Sequence, residues 1–371
     1  MLGAGEDARP QPHNRNAAHR FGELFPILFY DEYPEKDTVL DARPFRRHNL
    51  APDTKERLML AYLQLMRLPT IFTAMADIIL GYVLTHRVIV GPDGWDDPRK
   101  FFGLLASSCS LYLSGMVFND VFDRRQDAEE RPGRPIPSGR VPLKVAVVLG
   151  SLLMITGVVA AALVTSVSLQ VAGLLAVAIL AYDGGLKRTP LGPLAMGLCR
   201  FLNVLLGASS DQKAWMPPGL MVRPQLWVAA GLGLYIVGVT VFARTEAKTS
   251  SRWQLGLAQV LFNSGIAVLA VLIVSWPVWS WPPRHNGPVA LAMLAVVAFT
   301  LNRRTVTAMV EPSPANVQVT VKLLLLSYVM LDATIVFWKM AEEGSFGTGH
   351  ALLTAALILP ALLLSRFIPM T

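Results

Sequence analysis

Ten stretches of this chain run for about 20 residues with almost no charge, and a helix of that length, rising 1.5 Å per residue, crosses roughly 30 Å of hydrocarbon. They fall at 65–86, 101–119, 143–163, 166–182, 191–209, 226–243, 254–275, 288–302, 317–338 and 350–367, those at 166–182 and 288–302 being short. Hydrocarbon offers a backbone N–H or C=O no water, so each stretch must satisfy its own hydrogen bonds as a helix. Barrel strands are excluded, because these runs are continuously apolar and too long. A content of 53% hydrophobic and 16% charged residues over 371 positions likewise excludes an ordinary soluble domain. The fold class expected is all-α, a polytopic membrane helix bundle.

A net charge of +7 could signal nucleic acid, but the basic residues sort by side. Loops after the second, fourth, sixth and eighth spans hold thirteen Lys and Arg, from Arg124 to Arg304, and the opposite loops hold seven. By the positive-inside rule the richer side is cytoplasmic, as is the N-terminus with Lys55, Arg57 and Arg67. Of the tryptophans, only Trp253 falls on that side; the other seven fit an opposite interfacial belt. No nucleic-acid partner is implied. Cys109 and Cys199 lie inside spans and read as packing residues, neither disulfide nor thiolate metal ligands.

Residues 1–54 read as a cytoplasmic extension, partly disordered, with no secretory h-region; its segment "FGELFPILFY" at 21–30 could lie on the membrane surface. Residues 55–340 form the membrane domain, and 341–371 add a C-terminal transmembrane helix. Membrane lipids are the expected surroundings.

The second span ends in "NDVFDRRQDAEERPGRPIPSGR". On a helix Asp120, Asp123 and Asp127, at i, i+3 and i+7, share a face on which their carboxylates would converge. Like charges so placed call for a cation, most simply Mg²⁺, which takes one or two carboxylates and completes its shell with water and phosphate. The bland reading is a solvated face where Asp123, Asp127, Glu129 and Glu130 pair with Arg124, Arg125 and Arg131. The emergence of Asp120 directly from a membrane span favours the metal.

This motif, with its R-P-x-P-S-G tail, resembles the first aspartate-rich motif of the UbiA superfamily of intramembrane prenyltransferases. "RLPTIFTAMADIILGYVL" at 67–84 is similar to the superfamily's first helix, and "YDGGLKRTPLGPLAMGLCRFLNVLLG" at 182–207 to its Y-x-x-x-x-K-R loop and fifth helix. The resemblance implies nine core helices around a cavity capped by cytoplasmic loops, the tenth being extra. It implies Mg²⁺-dependent transfer of a prenyl group from an isoprenoid diphosphate to an aromatic or other lipophilic acceptor. Asp120, Asp123 and Asp127 would serve the metal, Asn119 would assist, and Lys187 and Arg188 would clamp the diphosphate. Arg134 and Tyr182 would line the substrate. The roles suit the chemistry: cleaving an allylic C–O bond builds negative charge on the leaving group, which fixed cations stabilise, and Arg offers phosphate a bidentate fork.

The chain departs from the superfamily at "FARTEAKTSSRWQLG", 242–256, where a second aspartate-rich motif is expected and Glu246 is the one carboxylate. Either Arg244, Lys248 and Arg252 stand in for a second metal, with Glu246 assisting, or the protein is a noncatalytic lipid- or isoprenoid-binding or transport component. Within the spans, Arg200 and Asn203 share a face of the fifth helix and are candidates to orient substrate, Asn203 equally to bond between helices and Arg200 to pair with a carboxylate. Asp332 is expected to pair with a basic or polar group across the bundle.

Overall fold

The computed structural model of the protein describes residues 54–86, 88–91, 94–211, 223–244, 250–275, 286–340 and 344–368. The expectations for 1–53 and for Glu246 and Lys248 lie outside them. The helices are α1 (Thr54–Leu65), α2 (Ile71–Thr85), α3 (Pro98–Glu130), α4 (Leu143–Ala162), α5 (Ser166–Gly184), α6 (Gly192–Gly207), α7 (Pro224–Ala243), α8 (Arg252–Ser275), α9 (Gly287–Val310), α10 (Pro314–Lys339), α11 (Gly344–Ala356) and α12 (Ile358–Phe367). Together they make ten candidate membrane spans among the described residues, α1 with α2 forming the first and α11 with α12 the tenth. The expected all-α class, nine core helices plus one, is the architecture observed.

Neighbours in sequence pack as neighbours in space from α3 to α8, and α2 holds a central place, touching α3, α6, α7 and α10. The approach of α2 to α6 is set by Gly81 and Gly207, where a Cβ on either would run into the other helix's backbone. Small residues let membrane helices gain close van der Waals contact where no hydrophobic drive separates helix from lipid.

Two departures from the hydropathy reading matter for the site. The second span ends at Glu130 rather than near 119. At 33 residues α3 is about 50 Å long, well beyond the hydrocarbon thickness, so its last turns carry the aspartate motif out of the apolar layer while remaining helical. It stops where Arg131 precedes Pro132, because a residue before proline is driven out of the α region.

The first span, in contrast, is broken. Leu68 precedes Pro69, α1 ends at Leu65, and a 3₁₀ turn over Leu68–Thr70 leads into α2. At the break Arg67 adopts φ 46°, ψ 47°, a left-handed conformation that costs a non-glycine residue about 1–3 kcal/mol and persists only where surroundings impose it.

At the opposite end a short hairpin pairs β1 (Val90–Gly91) with β2 (Gly94–Trp95). The tenth span holds it: His350 Nε2 accepts hydrogen bonds from the backbone N–H of Ile89 (3.1 Å) and of Val90 (3.2 Å). His350→Ala is expected to lower stability by about 1–3 kcal/mol, since a buried donor would be left unsatisfied. Thermal unfolding in detergent measures it, and His350→Gln, which keeps an acceptor, should recover part of the loss.

Trp338 is a correction to the belt: it is 1% exposed and packs inside the bundle, while Trp95 (52%) and Trp227 (51%) are exposed as anchors would be. Cys109 and Cys199 are free thiols, as expected.

Candidate functional site

The last turns of α3, the loop after it, the end of α5 and the Arg67 turn meet at one end of the bundle. Their charged side chains interlock. Arg67 Nη2 donates to Asp120 Oδ1 (2.9 Å) and Asn119 Oδ1 (3.3 Å). Asn119 Nδ2 donates to Asp183 Oδ1 (3.0 Å). Lys187 Nζ reaches Asp123 Oδ2 at 2.7 Å and Asp183 Oδ1 at 3.6 Å, and Arg188 Nη2 reaches Asp123 Oδ1 at 3.2 Å. Arg134 Nη1 sits 2.7 Å from Asp127 Oδ2 and 3.4 Å from Asp120 Oδ1.

Local sequence explains each placement. The prolines of "RPGRPIPSG" stiffen the loop, Ser138 Oγ donates to the Arg134 carbonyl (2.6 Å), and Gly139 at φ 73° turns the chain back. Arg134 is thereby held buried against α3, and Val141 closes a small core with Ala61, Leu65, Val117, Val121 and Ala146. At the other loop, Gly184 and Gly185 end α5 and a 3₁₀ turn over Leu186–Arg188 presents the two cations. Gly192 lets α6 start beside them: a Cβ there would lie 2.9 Å from the Lys187 carbonyl oxygen. Arg244, at the end of α7, donates to the Thr189 carbonyl (2.6 Å), so the basic stretch opposite the motif does reach this loop.

The three aspartates do not form one cage, which corrects the expected convergence. Among the described residues no three His, Cys, Asp or Glu come together as metal ligands. Helical geometry is the reason. Asp120 and Asp127 are nearly aligned but about 10 Å apart along the axis, a gap that the Arg134 guanidinium bridges, and Asp123 is rotated about 60° away toward Lys187. Asp127 is therefore an anchor for Arg134. Asn119, Asp120, Asp123 and Asp183 present hard oxygen donors on the Lys187 and Arg67 side, and a carboxylate keeps lone pairs beyond those its cation uses. That donor set fits Mg²⁺, which asks for one or two carboxylates rather than a cage.

Tyr182 is half-buried and interacts electrostatically with Asp183, Asp123 and Arg67, in keeping with a place at the site. Sequence reasoning missed two members. Arg67 counted only toward topology, although the L-P after it marks a break in a membrane span. Asp183 was passed over inside "YDGGLKR", although it stands four residues before Lys187 at a span's end.

Arg200 and Asn203 lie in a separate, deeper cluster. Arg200 donates to Asp77 Oδ2 (3.1 Å) and Thr73 Oγ1 (2.8 Å), its guanidinium lying over the rings of Tyr112 (5.4 Å) and Tyr328 (5.2 Å). Asn203 donates to Asp77 Oδ2 and the Ala74 carbonyl and accepts from Ser108, so its amide is used in joining helices. Tyr328 Oη donates to Asp77 Oδ1 (2.7 Å). Asp332 is a further correction: it is fully buried, and neither carboxyl oxygen has a hydrogen-bond partner among the described residues.

A bundle of ten helices long and apolar enough to cross a membrane, with carboxylates and cations gathered at one end, defines an integral membrane protein. The chain belongs to the UbiA prenyltransferase family, whose model matches residues 79–326. It is 31% identical over 163 residues to the digeranylgeranylglyceryl phosphate synthase of Metallosphaera sedula, covering 42% of this chain and 55% of that protein. The chain spans about half the length of the curated relatives it matches. A solved structure of a digeranylgeranylglyceryl phosphate synthase shares the fold at TM-score 0.56 and 19% identity, covering 77% of this chain and 99% of that one. A UbiA homologue from Archaeoglobus fulgidus, solved bound to DMAPP and Mg²⁺, does so at TM-score 0.54 and 13% identity, covering 80% and 99%.

Proposed function

We propose that this protein is a Mg²⁺-dependent membrane prenyltransferase that moves a prenyl group from an isoprenoid diphosphate to a lipophilic acceptor, its site facing the cytoplasm. One observation carries the reading: four cations, Arg67, Arg134, Lys187 and Arg188, stand paired with four carboxylates, Asp120, Asp123, Asp127 and Asp183, at one end of the bundle. Such a balanced cluster is poised to exchange partners. The carboxylates Asp120 and Asp123, with Asn119 and Asp183 beside them, would hold Mg²⁺, which when bound neutralises diphosphate and stabilises the departing charge. Lys187, Arg188 and Arg67, released from their carboxylates, would turn to the phosphate oxygens; Arg offers a planar fork and Lys a point charge.

The surrounding membrane helices would keep water from an allylic cation until the acceptor attacks. Arg244, tied to the Thr189 carbonyl, extends the basic rim on the side where a second aspartate motif is lacking and supports use of a single metal. The extension at 1–54, the membrane domain at 55–340 and the added helix at 341–371 remain the proposed domains. The names of the curated relatives make a glyceryl phosphate lipid the first acceptor to try.

The test is prenyl transfer by the full chain in liposomes, with an isoprenoid diphosphate and phenolic, quinone-precursor and glyceryl phosphate acceptors, in Mg²⁺ and in EDTA. Product that forms with at least one acceptor and disappears in EDTA is expected. Diphosphate binding without turnover on any acceptor would instead favour the noncatalytic binding or transport component.

A further inference from the structure

We propose that the tenth span, α11 with α12, is a strap that positions Arg67 for the diphosphate site. The inference rests on that site as proposed. Arg67 is the one member of the cluster whose backbone is left-handed, and a conformation of that kind persists only where the surrounding structure imposes it. Support from inside the bundle is visible as a chain of hydrogen bonds. Thr70 Oγ1 donates to the Arg67 carbonyl (2.8 Å), Thr73 Oγ1 to the Thr70 carbonyl (2.9 Å), and Arg200 Nη2 to Thr73 Oγ1 (2.8 Å).

Support from outside comes from α12, which packs on the Leu68–Thr70 turn and on α2. The helix is one-sided. Leu359, Leu363 and Phe367 are 61%, 56% and 72% exposed, whereas Ala361 and Leu364 are half-buried and Ile368, which caps the helix in an extended conformation, is 3% exposed. The far end of the strap is fixed as well: α11 lies along α10, and His350 grips the hairpin after α2. An element pinned at one membrane face and pressed on the Arg67 turn at the other can hold that turn in register. The strap falls outside the residues matched to the family, 79–326. A loosened strap would let the turn relax and withdraw Arg67 from Asp120. Because Arg67 would contact ground state and transition state alike, the loss should appear in diphosphate binding and KM more than in kcat.

The test uses the full chain with Ile368→Ser, Ile368→Val, Arg67→Ala and the Arg67→Ala/Ile368→Ser double variant. Protection against thermal unfolding by Mg²⁺ with inorganic pyrophosphate gives an apparent Kd that needs no turnover. Ile368→Ser is expected to weaken pyrophosphate about tenfold, the scale of one charge-assisted hydrogen bond, with Ile368→Val close to wild type. In the Arg67→Ala background the same change should add less than about twofold, as coupled residues do. Unchanged affinity in Ile368→Ser, or an equal loss with and without Arg67, would overturn the strap. Pyrophosphate protection that follows this pattern while no prenyl transfer occurs would sink the transferase reading and leave the strap standing. Wild-type protein that gains no protection would remove site and strap together.

Discussion

Asp120→Asn and Asp123→Asn should each lower Mg²⁺-dependent prenyl transfer by on the order of 10²–10³-fold, the scale of losing one preorganised charge-stabilising contact. The amide keeps shape and hydrogen bonding but gives up the charge that a divalent ion requires, so fold and chemistry are separated. Asp127→Asn should behave differently. Its carboxylate holds Arg134 at 2.7 Å, about two helical turns from Asp120, so the change should cost roughly 1–3 kcal/mol of stability and leave most of the activity. Paired measurements of kcat/KM and thermal unfolding distinguish the two outcomes. Transfer that survives Asp120→Ala combined with Asp123→Ala would refute the site, and an activity loss at Asp127 as deep as at Asp123 would refute its reassignment as an anchor.

Asp77→Ala is expected to destabilise the bundle by about 3–5 kcal/mol, because Arg200 would remain as an uncompensated charge inside it. The arginine has little freedom to escape, with its side chain 13% exposed and its guanidinium over two tyrosine rings. Asn203 and Tyr328 would lose their acceptor at the same time. Removing both charges, as Asp77→Leu with Arg200→Met, should recover much of the loss, since a well-packed apolar pair can replace a buried ion pair. Asp332→Leu provides the contrast: that carboxyl has no hydrogen-bond partner among the described residues to strand, so the change should be neutral or stabilising. Unfolding in detergent measures all three. A single Asp77→Ala that costs no more than Asp332→Leu would show that the pair does not hold the helices.

Hydropathy located every span, since a bilayer permits so few solutions, and it misjudged ends wherever a helix continued into water. The continuation of α3 to Glu130 is the instructive case: the aspartates stayed helical, and helical spacing rather than loop geometry then set them apart. The Arg67 break was legible as L-P after a span, but its purpose was not, because the partners Asn119 and Asp120 are 52 and 53 residues away. Lys187 and Arg188 were found because their motif is contiguous. Asp183 was missed because its role comes from Asn119 on another helix.

What this chain's sequence determines by itself is therefore the solvent it lives in and the chemistry it can carry. Long uncharged runs compel membrane helices, and carboxylates at a span's end, followed by arginines, prolines and Y-x-x-x-x-K-R, mark an acid-and-base cluster of a known family. Only the tertiary structure decides which charges meet. Arg134 belongs to Asp127, Lys187 to Asp123, Arg67 to Asp120, and Arg200 to an Asp77 that no motif announced. The physical reason is that a helix fixes its side chains only relative to its own axis, whereas pairing between helices depends on their rotation, offset and breaks, which packing alone sets.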